Sequence, residues 1–350
     1  MTSRAYRPSG WLKNTHVQTL LASSRLRVLG RHPMEDAASE VILDGVHRSR
    51  LQGFHSPQPG GKPRGLVILL HGWEGGADSA YIRSAGRCFW DRGLDVFRLN
   101  LRDHGKSHHL NEGLFHGALI DETHAATASA ATLAKGAPCW IMGFSMGGNF
   151  ALRMALGQGR EPIPGLRRVF AVSPALDPYK STLAIDEGPA LYRRYFLNKW
   201  KRSLRKKERL FPERYRFGEL LKEHDTCLGL TEAIMGYFPQ FPDYRTYFRK
   251  YTLLDGTFRS LETPVTIFIS ADDPVIDVKD FRELAPGPKL DLRILSHGGH
   301  CGFFESAFPF ASHHEREAMR MIEEECRGEV PSRNGVVAFP RLDCYRNRPV

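Results

Sequence analysis

Short runs of apolar residues alternate with helical stretches along most of this chain. The apolar runs predict buried strands at 66–70, 94–101, 139–144, 166–173, 265–270 and 292–295. The stretches between and after them carry helical patterns at 79–92, 118–135, 146–156 and 312–327. Strands that are apolar on both faces are typical of a parallel sheet covered by helices on each side. The pattern therefore predicts an α/β fold with a mostly parallel sheet.

Two further strands are expected nearer the N-terminus. Residues 41–43 and 50–54 flank Asp44-Gly45, a dipeptide that favours a tight hairpin turn. When these two strands are included, the strand at 166–173 is the sixth of the sheet.

The alternation of strands and helices stops between about 177 and 255. That segment is basic, aromatic and helical, and it has no buried-strand pattern, so we expect a helical cap inserted after the sixth strand. The chain then divides into an N-terminal extension at 1–35, a first part of the core at 36–176, the cap at 177–255, a second part of the core at 256–327 and a tail at 328–350. The tail has no periodicity, and we expect it either to strap the surface or to be disordered.

The composition is that of an ordinary globular protein, with 41% hydrophobic and 25% charged residues among 350. This length is compatible either with one domain that has a large insertion or with two domains. The longest aliphatic run, at 66–70, is far shorter than the ~20 residues that span a bilayer. The N-terminus lacks the apolar segment of a signal peptide, and the six cysteines show no CxxC spacing. We therefore expect a cytoplasmic protein.

The net charge of +10 is concentrated in one segment. Residues 192–216 contain eleven Lys or Arg and two Glu, which together account for nine of these charges. A solvated helix face is the simplest explanation, and a surface for anionic lipid or an anionic substrate is the alternative. Nucleic acid is not expected as a partner, because the large side chains recur every four residues, as in a buried helical stripe, at Tyr192, Phe196, Trp200 and Leu204.

The sequence Gly143-Phe-Ser-Met-Gly147 matches the pattern G-x-S-x-G. It lies between a predicted buried strand and a predicted helix, where a sharp turn exposes the serine hydroxyl. Small residues are needed at 143 and 147, because a side chain there would collide with the neighbouring strand or helix. We therefore predict that Ser145 is a nucleophile; the alternative is an ordinary serine at the start of a helix.

A nucleophilic serine needs a base and a carboxylate that orients the base. For this motif, the acid and then the histidine follow the serine along the chain. Asp272 and Asp273 follow the seventh predicted strand, and we favour Asp273, which directly precedes a proline. His300 lies in a glycine-rich loop after the last predicted strand, and we favour it over His297, which is closer to the strand end.

An oxyanion hole is also required for acyl transfer from an ester. Its donors would be two backbone N–H groups, that of Met146 directly after the serine and that of Trp73 in a glycine-rich loop. This loop follows the first long buried strand, which favours the functional interpretation. An ordinary turn is the alternative.

Two groups of histidines allow other interpretations. His297, His300 and Cys301 would supply part of a metal site, but no further His/Cys pair stands out, so neither a metal nor a cofactor is expected. A second group follows the strand at 94–101 and is another candidate partner of the serine. A polar loop at the edge of the sheet is the simpler interpretation of that group, which comprises His104, His108 and His109.

Several motifs in combination resemble one known family, the YheT-type α/β-hydrolases. The similarity is carried by His71-Gly-Trp-Glu-Gly, Asn100-Leu-Arg-Asp-His-Gly-Lys-Ser107, Gly143-Phe-Ser-Met-Gly-Gly148, Asp272-Asp-Pro274, Gly298-Gly-His-Cys-Gly-Phe303 and the N-terminal His16-Val-Gln-Thr19. The resemblance covers roughly residues 11–325. It implies an α/β-hydrolase fold, carboxylesterase-type activity and a triad of Ser145, Asp273 and His300.

The leading hypothesis is a serine hydrolase that cleaves a small-molecule carboxylic ester, of short to medium acyl chain length, through an acyl-enzyme. Acyl transfer to an alcohol and thioester cleavage would use the same triad and are the alternatives. A non-catalytic protein that binds a membrane or a partner through the basic segment is disfavoured. Such a protein would not need a serine, an acid, a histidine and two oxyanion loops together.

Overall fold

A computed structural model describes residues 6–254, 257–285, 287–306, 310 and 312–328. These residues form one eight-stranded sheet with the order β1-β2-β4-β3-β5-β6-β7-β8. The strands are β1 (Ser39–Asp44), β2 (Arg50–Ser56), β3 (Leu66–Leu70), β4 (Asp95–Leu99), β5 (Cys139–Phe144), β6 (Leu166–Val172), β7 (Val265–Ser270) and β8 (Leu290–Leu295). Strand β2 is antiparallel to β1 and to β4, and β3 to β8 are parallel. The predicted mostly parallel sheet is confirmed.

The helices of the described residues lie before, between and after these strands. They are α1 (Thr15–Ser23), α2 (Pro33–Asp36), α3 (Ala80–Trp90), α4 (Ile120–Ala131), α5 (Met146–Gly157), α6 (Pro178–Glu187), α7 (Ala190–Leu210), α8 (Leu220–Glu223), α9 (Cys227–Ala233), α10 (Tyr244–Arg249), α11 (Lys279–Arg282) and α12 (His313–Cys326). Helices α6 to α10 all fall between β6 and β7, which is the predicted place of the helical insertion. Within the described part of the chain, no helix has the length and apolar character needed to cross a membrane.

The sheet is covered on both faces, as the apolar strands predict. On one face, Val67 and Leu69 of β3 pack in a cluster with residues of α3 and α12. On the other face, Ile68 packs in a second cluster with residues of α4 and α5. Because neighbouring strand residues point to opposite faces, a strand between two helical layers must be apolar at every position. This sandwich holds the carboxyl ends of the parallel strands at one edge.

The turn between the first two strands differs from the prediction. Strands β1 and β2 do pair as an antiparallel hairpin, with Asp44 opposite Arg50. Their connection is longer than a two-residue turn and contains a 3₁₀ turn at Val46–Arg48. Gly45 has φ −102°, whereas a tight type I′ turn requires positive φ at both central residues. The dipeptide therefore marks the hairpin but does not form its turn.

Helix α7 places most of its aromatic stripe against the rest of the protein. Tyr192 and Leu204 are buried, and Phe196 and Trp200 are half-buried against the main apolar cluster. The stripe that the sequence predicts therefore faces inward. The predicted tail lies outside the described residues from position 329 onward.

A buried ion pair joins α7 to the loop after β4. Lys207 Nζ lies 2.7 Å from Asp103 Oδ1, and only 1% of the Lys207 side chain is exposed. The same ammonium donates hydrogen bonds to the carbonyl oxygens of His108 and Asn111. One residue of the basic segment therefore fixes the helix to the core and adds no charge to the surface.

Candidate active site

Ser145 occupies a strained turn between β5 and α5. Its backbone has φ 52° and ψ −118°, and its N–H donates to the carbonyl oxygen of Val172 at 2.9 Å. A Cβ atom at Gly143 would overlap the Gly147 carbonyl, and one at Gly147 would overlap the carbonyl oxygens of Leu70 and His71. Both glycines are therefore required by close backbone approach, as the motif predicts. The turn presents the serine hydroxyl at the carboxyl edge of the sheet.

The structure brings His300 and Asp273 together with this serine. His300 Nε2 lies 3.0 Å from Ser145 Oγ. On the other side of the ring, His300 Nδ1 lies 3.0 Å from Asp273 Oδ2 and 3.1 Å from Oδ1. A carboxylate beside Nδ1 keeps the proton on that nitrogen and leaves Nε2 free to accept the proton of Ser145. The three predicted residues thus form the geometry of an activated nucleophile.

The pKa of His300 depends on its burial and on its neighbours. Burial is the largest single effect and lowers the His300 pKa, but the Asp273 carboxylate and Cys301 together outweigh it, so the pKa lies well above its ordinary value of 6.5. The Asp273 side chain is fully buried and also accepts hydrogen bonds from the backbone N–H groups of Val275 and Ile276. These two donors hold the carboxylate in place beside the ring.

The neighbouring aspartate has a different position. Asp272 Oδ1 accepts a hydrogen bond from the N–H of Gly299 at 3.0 Å, and its other oxygen lies 3.6 Å from Nδ1 of His297. Asp272 therefore braces the loop that carries His300, and Asp273 is the carboxylate that contacts the imidazole. The order of preference drawn from the sequence agrees with this placement.

Helix α1 supports both of these loops, a contribution that sequence reasoning did not assign. Thr15 Oγ1 donates to the carbonyl oxygen of Asp272 at 2.6 Å, and Thr19 Oγ1 accepts from the N–H of His300 at 3.0 Å. The fully buried Gln18 side chain donates to the carbonyl oxygen of Phe304 and accepts from its N–H. The only signal for this helix in the sequence is the His-x-Gln-Thr resemblance.

The loop after β3 lies directly against Ser145. A Cβ atom at Gly72 would sit 3.1 Å from the serine Cβ, so glycine permits this close approach. The backbone N–H groups of Trp73 and Met146 donate to no other group in the part of the chain that the structure describes. Both predicted oxyanion donors therefore have unused hydrogens next to the serine.

Two neutral histidines hold this loop. His71 Nε2 accepts from the N–H of Leu101, and His104 Nε2 accepts from the N–H of Glu74 at 3.1 Å. Each ring therefore carries its proton on Nδ1, which lies beside a backbone carbonyl oxygen, that of Gly72 or Arg102. Burial lowers the pKa of His71 well below 6.5 and that of His104 to about 4, so both rings are neutral at pH 7.

The histidine cluster after β4 is thus not a partner of Ser145. His104 fixes the loop next to Trp73, and His108 Nε2 lies 2.8 Å from Ser203 Oγ on α7. The side chains of His104 and His108 are buried and that of His109 is exposed, in a polar loop that follows β4 as expected. Backbone groups satisfy both ring nitrogens of His104, and the Ser203 hydroxyl is the partner of His108 Nε2.

Ser145 lines two cavities. The larger has a volume of about 650 Å³ and is also lined by His300 and by residues of α1, α3 and α7. The smaller has a volume of about 90 Å³ and is lined mostly by apolar residues, several of them from the insertion between β6 and β7. Trp73 and Phe196 line both cavities, and their rings stack at 5.6 Å between centroids.

The half-buried side chain of Glu74 also borders the larger cavity. Burial raises the pKa of Glu74 to about 8, Lys199 lowers it, and Asp103 raises it further. The Lys199 ammonium donates to the Glu74 carbonyl oxygen at 3.0 Å. Glu74 is thus neutral at pH 7, and sequence reasoning did not identify it. No group of three or more His, Cys, Asp or Glu able to hold a metal occurs among the described residues.

Sequence comparison relates this chain to known proteins. The model of one family, the alpha/beta hydrolase family, matches residues 67–313. The chain is also 24% identical over 291 residues to a predicted esterase of Synechocystis sp., and the match spans 75% of this chain and 76% of that protein.

Structural comparison gives the same fold. An esterase of Pyrococcus furiosus is similar with a TM-score of 0.54 at 16% identity, and the match covers 85% of this chain and 98% of that one. A serine hydrolase of Cycloclasticus zankles is similar with a TM-score of 0.51 at 13% identity, over 83% of this chain and 98% of that one. At these identities the similarity confirms the predicted fold and says nothing about substrate.

Proposed function

Because this chain belongs to the alpha/beta hydrolase family, we propose that it is a serine hydrolase of carboxylic esters. In this proposal Ser145 is the nucleophile, His300 the general base and acid, and Asp273 the carboxylate that orients His300. The observation that carries the proposal is the 3.0 Å contact between Ser145 Oγ and His300 Nε2 in the strained turn. The esterase name of the Synechocystis relative supports the reaction class.

The reaction follows from the placement of these groups. His300 Nε2 accepts the Ser145 proton as Oγ attacks the ester carbonyl, and the carbonyl oxygen becomes an oxyanion held by the N–H groups of Trp73 and Met146. The C–O bond to the alcohol then breaks, and His300 returns its proton to the departing oxygen. Water attacks the acyl-enzyme in the same way and releases the acid.

The same residues would serve thioester cleavage or transfer of the acyl group to an alcohol, so the test includes both. Purified protein would be incubated with p-nitrophenyl esters, with matched thioesters and with esters plus a second alcohol. We expect ester hydrolysis that falls on the order of 10⁶-fold in turnover in Ser145→Ala. If a new ester is the main product, the protein is an acyltransferase and not a hydrolase. Equal activity of the variant would refute the proposed nucleophile.

We further propose that residues 177–255 act as a cap over the serine and that its basic helix contacts anionic lipid. Leu191 and Tyr195 are exposed on α7 and line the larger cavity, and Leu20 of α1 also lines it. Exposed arginines follow on α7 at positions 194, 202, 205 and 209. Apolar residues beside basic ones favour an interfacial contact.

Vesicle sedimentation tests this contact. We expect the protein to bind phosphatidylserine vesicles at low salt and to be released at high salt, because exposed charges are screened. Equal binding to neutral vesicles, or no binding to either, would contradict the contact.

Two finer assignments are also proposals. The junction of the His16-x-Gln18-Thr19 helix with the His300 loop supports placement of this chain in the YheT-type group of the family. The cysteines within the described residues are free thiols, which supports a reducing, cytoplasmic location.

A further inference from the structure

The two cavities that meet at Ser145 differ in their access to the general acid. His300 lines the larger cavity but not the smaller one. The smaller cavity instead reaches the serine from the side of Met146, whose N–H is a proposed oxyanion donor. The serine is therefore open to two chemically different compartments, separated in part by the stacked rings of Trp73 and Phe196.

The direction of proton transfer assigns one group of the ester to each compartment. In the collapse of the tetrahedral intermediate, His300 Nε2 must give its proton to the departing alcohol oxygen. That oxygen must therefore lie on the side of Ser145 where His300 stands, which is the larger cavity. The acyl group, which stays on the serine, must extend the other way.

We propose that the smaller cavity is the acyl subsite and the larger cavity the alcohol subsite, so that the substrates are esters of short acyl groups with bulky alcohols. This assignment rests on the proposed ester hydrolysis at Ser145. The reaction is unchanged: the acyl–oxygen bond breaks, the alcohol leaves with the proton from His300, and water later takes the acyl group as the free acid.

The walls of the smaller cavity suit a hydrocarbon chain. Its sides are formed mainly by aliphatic and aromatic side chains, among them Ile185, Ile234, Phe238, Phe248 and Ile276. Three hydroxyl groups on its helices, those of Ser181, Thr182 and Thr231, each donate to the carbonyl oxygen four residues earlier. The polar side chains of His116 and Asn149 also line the cavity. No hydrogen of the three hydroxyl groups is left for a polar substrate group, and burial of an apolar chain here is favourable.

The volume of the smaller cavity limits the length of that chain. An apolar cavity of 150 Å³ in another protein holds benzene, which has six carbons. By proportion, about 90 Å³ holds roughly three to four carbons. The carbonyl carbon itself lies at Ser145, outside this space. The fit is therefore best for acyl groups of about four to five carbons, whereas the larger cavity has room for an alcohol several times this size.

The chain-length profile of hydrolysis tests the assignment. With p-nitrophenyl esters of two to ten acyl carbons, we expect kcat/KM of the wild type to peak near four carbons. By eight carbons it should be lower by about tenfold or more, since misfit of even one methylene costs about tenfold or more. Phe238→Ala and Ile234→Ala enlarge the smaller cavity, and each should move the peak towards longer acyl chains. Either variant suffices if the other unfolds.

Phe54→Ala is the matched control, because Phe54 lines the larger cavity alone. In this variant the optimum acyl length should be the same as in the wild type. The KM values for a series of esters that differ only in the alcohol should change. If Phe54→Ala moves the acyl peak and the other two variants do not, the assignment of the cavities is overturned. If all variants keep the wild-type peak, the smaller cavity is not the acyl subsite.

A separate readout distinguishes this failure from failure of the proposed function. Turnover of the acetate ester and labelling by a fluorophosphonate depend on Ser145 and need almost no acyl space. If the wild type shows neither, ester hydrolysis itself is refuted, and the subsites with it. If both are retained while the peak does not respond to Phe238→Ala or Ile234→Ala, only the subsite assignment is refuted.

Discussion

The hydroxyl oxygen of Thr19 accepts a hydrogen bond from the backbone N–H of His300 at 3.0 Å, although the two residues are 281 positions apart in the chain. Thr19 also donates to the carbonyl oxygen of Thr15, and Thr15 donates to that of Asp272. One turn of helix α1 thus supports the loop of the imidazole and the loop of the carboxylate. The position of His300 relative to Ser145 therefore depends on a helix that is remote in sequence.

Removal of this acceptor should impair catalysis. Thr19→Val keeps the shape of the side chain but leaves the buried His300 N–H without its partner, which costs about 1–3 kcal/mol. We expect the rate of fluorophosphonate labelling of Ser145 to fall about tenfold, while KM for a short ester changes little. Thr19→Ser retains the hydroxyl and should recover most of the rate. If Thr19→Ser is as slow as Thr19→Val, the hydrogen bond is not the cause.

The activity should increase with pH through the titration of His300. A protonated imidazole cannot accept the Ser145 proton, and the Asp273 carboxylate holds the His300 pKa well above 6.5. The acid limb of the pH profile of kcat/KM should therefore have its midpoint above pH 6.5. In Asp273→Asn no carboxylate stabilises the protonated ring, so the acid limb should move to lower pH while turnover falls on the order of 10⁴-fold. An acid limb that stays in place in Asp273→Asn would contradict this account.

A second ionisation should reduce activity at alkaline pH. The Glu74 carboxyl has a pKa of about 8 and lines the same cavity as Ser145. Above that pH it becomes negative, and a negative charge near the oxyanion loop disfavours the developing oxyanion. We expect kcat/KM for a neutral ester to decline above about pH 8 in the wild type and to stay level in Glu74→Gln. The same decline in both proteins would assign this limb to another group.

Breaking the ion pair between Lys207 and Asp103 should destabilise the protein strongly. Lys207→Met leaves the Asp103 carboxylate buried without its partner, and such a change typically costs about 3–5 kcal/mol in the free energy of unfolding. The control is Arg205→Met, an exposed position on the same helix, where little change is expected. Lys207 lowers the Asp103 pKa, which is about 6 in the wild type, so in Lys207→Met the carboxyl takes up its proton at a higher pH. The stability deficit of the variant should therefore shrink as pH falls towards 6 and level off below it. Equal unfolding midpoints of the two variants at pH 7 would refute the anchoring role.

Much of the fold follows from local patterns. Strands such as 66–70 are apolar at every position because helices cover both faces, and this is visible in the sequence alone. The turn at Ser145 is equally local, since glycines at 143 and 147 have a steric cause that acts within one strand–turn–helix unit. Asp273 and His300 can be predicted because each follows a late strand. In a parallel sheet, the loops after the strands lie at the same edge as Ser145.

What the sequence did not reveal depends on distant contacts. Nothing local marks Thr19 as the partner of His300, or Lys207 as a buried residue among its exposed basic neighbours. The sequence also does not show that His104 holds the oxyanion loop, because its hydrogen bond to the Glu74 N–H joins two loops that follow different strands. These assignments require the three-dimensional arrangement.

Covalent labelling is the measurement that shows whether Ser145 is the nucleophile. Wild-type protein and Ser145→Ala would be treated with a fluorophosphonate, and the modified peptide would be located by mass spectrometry. We expect one adduct, on Ser145 in the wild type, and none in the variant. An adduct on another residue, or equal labelling of Ser145→Ala, would contradict this assignment.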